Sequence, residues 1–181
     1  MSAFVQRTDA PRAGVKGPAA AEWLATRGLP VPAKPNTWLP LAAGGVIGRL
    51  AYTEFFVEGD AAPDIEREAS GAPAGVYPVL RRDLGLVLAG PAALDVLAQT
   101  CNVNFDALDL ATRPLVMTSM VGVSVLVIPE QRDDGIAYRI WCDPTYGPYL
   151  ARTLHAIAAE EDGGLAPARP PHASTISRGG P

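Results

Sequence analysis

The sequence predicts an α+β fold of two similar lobes, each with mainly antiparallel strands and with helices packed on one face. Three observations indicate this class: an internal repeat at an offset of 73 residues, short strand-like segments between turns, and two Gly-Pro turns that each lead into a helix. Glycine and proline each contribute 18 of the 181 residues, which favours short elements joined by many turns.

The repeat is clearest where residues 17–28 (GPAAAEWLATRG) are aligned with residues 90–101 (GPAALDVLAQTC), because six of these 12 positions are identical. A short apolar strand precedes each Gly-Pro, at residues 13–16 and 84–89, and a helix follows it. Proline is tolerated in the first helical turn because its missing N–H would have no partner there. We therefore predict a first lobe over residues 1–75 and a second lobe over residues 76–162.

The elements after each helix also follow the repeat. Strands are predicted at residues 49–57 and 121–128, near the same offset, and the second is rich in β-branched residues. Each half then has an acidic residue before a helix: Asp60 precedes residues 63–69, and Asp143 precedes residues 148–159.

The second half also has one extra hairpin arm, in which a charged turn at residues 131–135 leads into a strand at 136–142 that pairs back onto residues 121–128. Residues 163–181 lack periodicity and are rich in glycine, proline and serine, which predicts a low-complexity tail that is disordered or wraps a partner.

Charge and composition exclude some classes of function. The net charge of −4 argues against nucleic-acid binding, because there is no surplus of basic residues to displace counterions. Only 19% of the residues are charged, which favours burial of the surface against partners. The longest apolar run, residues 120–129, is half of the roughly 20 residues that a membrane-spanning helix needs. No secretion signal is recognised at the N-terminus, so we expect a cytoplasmic protein whose Cys101 and Cys142 are reduced, packed thiols.

Few residues are candidates for chemistry. Neither His155 nor His172 has a metal-ligating partner at a suitable spacing, and no nucleophile motif is present. Residues 44–48 (GGVIG) lack the order of a dinucleotide-binding loop, and proline removes an N–H that a phosphate site would use. We predict no catalytic, cofactor-binding or metal-binding residue in this chain. Two acidic clusters are predicted to be solvated surface: Asp64, Glu66 and Glu68, and Glu160, Glu161 and Asp162. Asp109 with Arg113 could face a small anion.

Aromatic residues are the better candidates for function, because tyrosine and tryptophan are enriched in the anchoring regions of protein interfaces. The predicted partner-interface residues are Tyr146, Tyr149, Trp141 and Trp38. Trp141 lies on a predicted strand and could equally fill a core. The two tyrosines lie where a loop meets a helix, which favours contact with a partner.

Three segments together have a recognisable pattern: residues 90–101, residues 121–130 (VGVSVLVIPE) and residues 138–150 (YRIWCDPTYGPYL). This pattern resembles the sarcosine oxidase gamma subunit family, which is related to the folate-binding domain of glycine-cleavage aminomethyltransferases. The resemblance is good over residues 76–159 and looser over residues 14–59. It implies a fold like that folate-binding domain.

The resemblance also implies a function. The chain would be the non-catalytic gamma subunit of a heterotetrameric flavoenzyme that oxidatively demethylates sarcosine or a related N-methyl amino acid. It would pack on the alpha subunit, which holds NAD and the tetrahydrofolate site. FAD belongs to the beta subunit, FMN lies between alpha and beta, and the delta subunit binds zinc, so this chain itself would bind no cofactor. Ser119 and Ala151 depart from the family pattern, which leaves open a sister complex that acts on another methylated amine.

Three alternatives remain at this stage. The first is a free-standing folate-binding aminomethyltransferase or demethylase, although such enzymes are about twice this length and none of their acidic residues can be matched here. The second is the iron–sulfur-assembly branch of the same superfamily, whose cysteine motif is missing from this sequence. The third is a homodimeric scaffold protein.

Overall fold

The structure, a computed structural model, describes residues 3–163 and confirms the α+β class. Ten strands and four α-helices alternate along these residues. The strands are β1 (Phe4–Thr8), β2 (Arg12–Lys16), β3 (Thr37–Pro40), β4 (Val46–Ala51), β5 (Glu54–Glu58), β6 (Tyr77–Val79), β7 (Leu84–Ala89), β8 (Val116–Met120), β9 (Val123–Arg132) and β10 (Gly135–Cys142). The helices are α1 (Ala20–Ala25), α2 (Ala62–Ala69), α3 (Ala93–Thr100) and α4 (Gly147–Gly163). Apart from Gly163, the predicted tail at residues 163–181 lies outside the described residues.

The strands form two five-stranded antiparallel sheets. The first sheet has the order β3-β4-β5-β2-β6, and the second has the order β1-β7-β10-β9-β8. Helices α1 and α2 cover the outer face of the first sheet, and α3 and α4 cover the outer face of the second. The helices present apolar side chains to the sheets. Trp23 and Ile65 pack in one core with Phe55 of the first sheet, and Leu97 and Leu154 pack in another core with Ile140 of the second sheet.

The inner faces of the two sheets pack against each other, which gives four layers in the order helix, sheet, sheet, helix. Strand alternation produces this arrangement: in β5, Phe55 points to the helices, whereas Phe56 points to the other sheet. The inner layer is a separate apolar cluster made of Trp38, Val46, Leu50, Phe56, Leu115, Ile128 and Trp141. At its centre the rings of Phe56 and Trp141 meet edge to face, with 5.0 Å between their centroids.

The two Gly-Pro turns have the same geometry in both halves. Gly17 and Gly90 have φ angles of 123° and 101°, a region that side chains with a Cβ rarely adopt. Each glycine turns the chain from its strand, β2 or β7, towards the helix that follows. The sequence repeat therefore reflects a repeated strand–turn–helix unit.

The first strand of each repeat is exchanged between the sheets. β1 precedes β2 in the chain but pairs with β7, whereas β6 precedes β7 but pairs with β2. Phe4 and Tyr77, which lie 73 residues apart, are equivalent positions on these two edge strands. Sheet membership thus crosses the predicted boundary between residues 75 and 76, although the division into two repeats stays a prediction.

Two predicted strands need correction. Residues 49–57 are not one strand, because Tyr52 and Thr53 form a turn between β4 and β5. The first half therefore has its own hairpin, and the arm at residues 136–142 is not extra.

Similarly, the strand predicted from residue 121 begins at residue 123, since Val121 (φ 45°) and Gly122 (φ 84°) form the turn from β8. Neither turn was predicted, because Tyr52, Thr53 and Val121 are residue types that favour strands.

The other predicted strands and helices agree with the structure, whereas the turn predicted at residues 131–135 is confined to Asp133 and Asp134. The strand at residues 84–89 is β7, and the strand at residues 136–142 is β10, which pairs with β9 as expected. The predicted helices at residues 63–69 and 148–159 lie within α2 and α4.

Candidate partner interface

Tyr146 and Tyr149 lie on the surface at the start of α4, where their side chains are available to a partner. They are 56% and 46% exposed. Asp143 orders the preceding turn, because its Oδ1 accepts a hydrogen bond of 2.8 Å from the backbone N–H of Thr145. The hydroxyl of Tyr149 donates to the carbonyl oxygen of Val121 at 3.2 Å, which ties α4 to the turn between β8 and β9. The two rings are thus presented from an ordered part of the fold.

Trp38 and Trp141 do not lie with the tyrosines. They are 8% and 2% exposed, and both belong to the apolar layer between the sheets. The indole N–H of Trp141 donates to Oε2 of Glu58. Contact of these tryptophans with a partner stays a prediction, and both side chains are almost fully buried.

A buried ionic cluster contacts the inner layer through Trp141, whose indole N–H bonds to Glu58. Oε2 of Glu58 accepts from Nε of Arg12 at 2.7 Å, and its Oε1 accepts from Nη1 of Arg139 at 3.3 Å. The side chains of Glu58, Arg12 and Arg139 are only 2%, 9% and 12% exposed. Because Arg12 and Glu58 belong to the first sheet and Arg139 to the second, these bonds connect the two sheets.

Glu130 extends the ionic cluster on the second sheet. Its carboxylate accepts from Nε and Nη2 of Arg139, both at 3.1 Å, and from Arg132 at 2.8 Å. Burial by itself would raise the pKa of Glu130, but the hydrogen bonds from Arg139 and Arg132 outweigh it and the pKa is lowered. The carboxylates of Glu58 and Glu130 are therefore engaged by guanidinium groups of the chain itself, which suits a structural role.

An open cleft, lined in part by Trp141, lies between the sheets. It has a volume of about 430 Å³ and an apolar wall of Leu50, Leu126 and Trp141. The other lining residues are Arg81, Asp83, Met117, Thr118, Ser124, Val125, Cys142 and Asp143. We call this space the inter-sheet cleft.

The charged groups of the inter-sheet cleft are unevenly balanced. Nη2 of Arg81 donates to Oε1 of Glu54 at 2.9 Å, and its Nη1 lies 4.0 Å from Oδ1 of Asp83. Asp143 is exposed, and its hydrogen bonds from the Thr145 hydroxyl and backbone N–H lower its pKa. Arg81 thus lies near two carboxylates, those of Glu54 and Asp83, and Asp143 adds a further negative charge to the lining.

The remaining titratable candidates are placed as follows. Within residues 3–163, no group of three or more histidine, cysteine, aspartate or glutamate side chains could hold a metal ion. Burial, followed by the nearby Asp83 and Asp143, raises the pKa of the free thiol of Cys142 to about 11, so it is protonated at neutral pH. Cys101 is also free and is half-buried. His155 is exposed on α4, and His172 lies outside the described residues.

Other residues singled out in the sequence have local structural partners. Asp64, Glu66 and Glu68 pair with Arg67, Arg82 and Arg27 at the surface. Oδ1 of Asp109 accepts from the N–H of Ala111 and so caps a short 3₁₀ turn that ends at Arg113. In the glycine-rich segment, a Cβ at Gly48 would lie 2.5 Å from Cδ1 of Leu115, so this glycine allows close packing of the inner layer. None of the helices described is both long and apolar enough to span a membrane.

The ionic cluster and the inter-sheet cleft were not found from the sequence. The alternation in residues 55–58 carried a usable signal for the cluster, because it places Glu58 on the same face as Phe56. The cleft had no comparable signal, since its lining residues come from segments between Leu50 and Asp143 that only the sheet packing brings together.

Comparison with solved structures finds two informative similarities. A chain of heterotetrameric sarcosine oxidase from Corynebacterium sp. U-96, in complex with pyrrole 2-carboxylate, is 20% identical with a TM-score of 0.67, and the match covers 87% of this chain and 84% of that chain. Glycine cleavage system aminomethyltransferase T from Bartonella henselae is 18% identical with a TM-score of 0.64, and the match covers 84% of this chain but 45% of that chain. Neither protein-family models nor curated proteins match the sequence.

These similarities confirm, at the level of the fold, the resemblance that the sequence predicted. The chain has the fold shared by a sarcosine oxidase subunit and the aminomethyltransferase. Because the first match covers similar shares of both chains, the two chains are similar in length. The second match shows that this chain spans about half the length of the aminomethyltransferase.

Proposed function

We propose that this chain is the non-catalytic gamma subunit of a heterotetrameric sarcosine oxidase-type flavoenzyme, which oxidatively demethylates sarcosine or a related N-methyl amino acid. The observation that carries the proposal is the match, nearly end to end in both chains, to a chain of a heterotetrameric sarcosine oxidase. The fold similarity to an aminomethyltransferase of about twice the length supports a role as one subunit of a larger complex.

The arrangement of side chains supports an assembly role. The buried charges of the ionic cluster are paired within the chain, and the Cys142 thiol is protonated, so neither is poised to react. In contrast, Tyr146 and Tyr149 present aromatic surface to solvent beside the inter-sheet cleft. We propose that this face contacts the alpha subunit, because exposed tyrosines are common anchors of protein interfaces.

In this proposal the chemistry belongs to the partner subunits. The alpha subunit would hold NAD and tetrahydrofolate, the beta subunit FAD, the alpha–beta junction FMN, and the delta subunit zinc. The gamma subunit would stabilise the cytoplasmic assembly without binding any of these groups itself.

Purification of the full chain with an affinity tag, from its native cell, tests the proposal. We expect mass spectrometry to identify two larger subunits and one smaller subunit, and the purified complex to show the visible absorbance of a bound flavin. A colourless chain that is recovered alone would contradict the assembly role.

A free-standing folate-binding protein is the second candidate, and the fold similarity to aminomethyltransferase T favours it. It predicts that tetrahydrofolate raises the Tm of the isolated chain in a concentration-dependent way, because a ligand that binds only the folded state stabilises it. Glutamate at the same concentrations is the control for a charged additive. No shift in Tm with tetrahydrofolate would exclude this candidate.

A further inference from the structure

We propose that the inter-sheet cleft receives a basic side chain, arginine or lysine, from a partner protein chain. The inference rests on the proposed function, since it names the contact by which an assembly subunit engages its partner. It is carried by the charge of the cleft, the apolar wall of the cleft, and its position beside the exposed tyrosines.

The charge of the cleft favours a cation. Within the described residues, Arg81 is the one cation among the lining side chains, and Glu54 already engages it at 2.9 Å. Asp83 reaches Arg81 only at 4.0 Å, and Asp143 bonds instead to the uncharged Thr145. Arg81 therefore faces the carboxylates of Glu54 and Asp83, and Asp143 adds a third carboxylate to the cleft, so an incoming cation would reduce the excess of negative charge.

The wall of the cleft favours a cation on an apolar stem. Leu50, Leu126 and Trp141, which belong to one apolar cluster, supply the apolar part of the lining. Arginine and lysine bury their methylene stems against such surfaces while the charged end reaches polar groups. The volume of about 430 Å³ is more than one such side chain needs, and it falls in the range of sites that enclose a bound group.

The position of the cleft favours a protein partner over a free amine. Asp143 lines the cleft and lies three residues before Tyr146, and Tyr149 contacts the turn between β8 and β9. On the other side Met117 of β8, which lines the cleft, is 56% exposed. A protein that covers the tyrosines would therefore pass over the mouth of the cleft, where an inserted arginine could act as an anchor.

Charge variants at Met117 test the proposal without disturbing the core. Because this side chain is largely exposed at the rim, Met117→Glu and Met117→Lys should both fold. Gln6 provides the matched control: it is exposed on β1, the other edge strand of the same sheet, and it is replaced in the same way by Gln6→Glu and Gln6→Lys.

The first measurement is an NMR titration of the full chain with N-acetylarginine methylamide at low salt, with the neutral citrulline analogue as control ligand. We expect the arginine probe to shift amide signals of the cleft and the citrulline probe to shift them much less. Met117→Glu should tighten the Kd by about threefold and Met117→Lys should weaken it by about threefold, whereas the Gln6 variants should match the wild type. Equal affinities in all variants would overturn the cleft as a cation site.

The second measurement is the capture of partner subunits by the tagged wild type and the same variants. Reduced capture by Met117→Lys but not by Gln6→Lys would support a basic side chain of the partner as the occupant. Unchanged capture, together with probe binding, would assign the cleft to a free amine and overturn the proposal. Capture of nothing by the wild type would overturn the proposed function, while the titration would still report on the chemistry of the cleft.

Discussion

At the scale of single residues, Glu58 connects the two sheets through buried hydrogen bonds. Its carboxylate accepts from Arg12, Arg139 and Trp141 and is 2% exposed. We expect Glu58→Gln to lower the free energy of unfolding by about 3–5 kcal/mol, because it leaves a buried guanidinium without its counter-charge. Urea denaturation of the purified chain measures the effect.

The surface pair of Glu66 with Arg82 provides the control for Glu58→Gln. These side chains are 39% and 59% exposed, so solvent screens their attraction. Glu66→Gln should therefore lower the free energy of unfolding by less than about 1 kcal/mol. Similar losses in the two variants would show that the ionic cluster does not hold the sheets together.

Glu130 makes the contribution of the ionic cluster dependent on pH. Its pKa is lowered from an ordinary value of 4.5, so its stabilising effect is complete above that value and is lost as the pH falls through the lowered pKa. We expect the difference in unfolding free energy between the wild type and Glu130→Gln to be constant near neutral pH and to shrink below about pH 4.5. Urea denaturation between roughly pH 3 and pH 7 measures it.

Gln131→Ala is the control for the pH dependence of Glu130→Gln, since it changes a neighbouring residue without removing a titrating group. Its difference from the wild type should stay the same across the range. A difference for Glu130→Gln that did not vary with pH would mean that Glu130 is not stabilised as a carboxylate.

At the scale of elements, the sequence predicted those parts of the fold that depend on local signals. The Gly-Pro turns located β2, β7 and the helices after them, because glycine and proline restrict or permit particular backbone angles. The β4–β5 hairpin was missed because its turn residues, Tyr52 and Thr53, favour strands. The exchange of β1 and β6 was missed for a different reason: pairing between residues about 60 to 85 positions apart leaves no local pattern.

Strand β1 should stabilise the second sheet, although the next strand in the chain, β2, belongs to the first sheet. Val5 is 7% exposed and packs in the core of the second sheet, whereas Gln6 points to solvent. We expect Val5→Ala to lower the free energy of unfolding by about 1–2 kcal/mol and Gln6→Ala to change it by less than about 0.5 kcal/mol.

Hydrogen exchange of the same Val5 and Gln6 variants identifies the sheet that is weakened. Because β1 pairs with β7, Val5→Ala should accelerate amide exchange in β7 (Leu84–Ala89) of the second sheet more than in β2 (Arg12–Lys16) of the first sheet. The opposite result would mean that β1 stabilises the first sheet instead.

At the scale of the whole molecule, the two halves share a topology but differ where the sheets meet. The ionic cluster connects the two sheets through buried hydrogen bonds, whereas the inter-sheet cleft is an open space between them. The exposed Met117 lines this cleft, and the exposed Tyr146 and Tyr149 follow the lining residue Asp143 in the chain. The candidate interface therefore includes an open cleft, Met117 and two tyrosines. From the sequence, only the two tyrosines could be predicted.

The two tyrosines of this interface give a direct test of the assembly surface. We expect the double variant Tyr146→Ala/Tyr149→Ala to weaken binding to the partner subunits by about 2–4 kcal/mol, because truncation of aromatic anchors removes most of their buried contact. The matched control is Tyr52→Ala/Tyr77→Ala, which removes two tyrosines that are 78% and 53% exposed on the first sheet. Analytical ultracentrifugation of the reconstituted complex compares the two, and circular dichroism checks that both fold. Equal binding by the two double variants would place the interface elsewhere, since the loss of exposed aromatic surface is at least as large in the control.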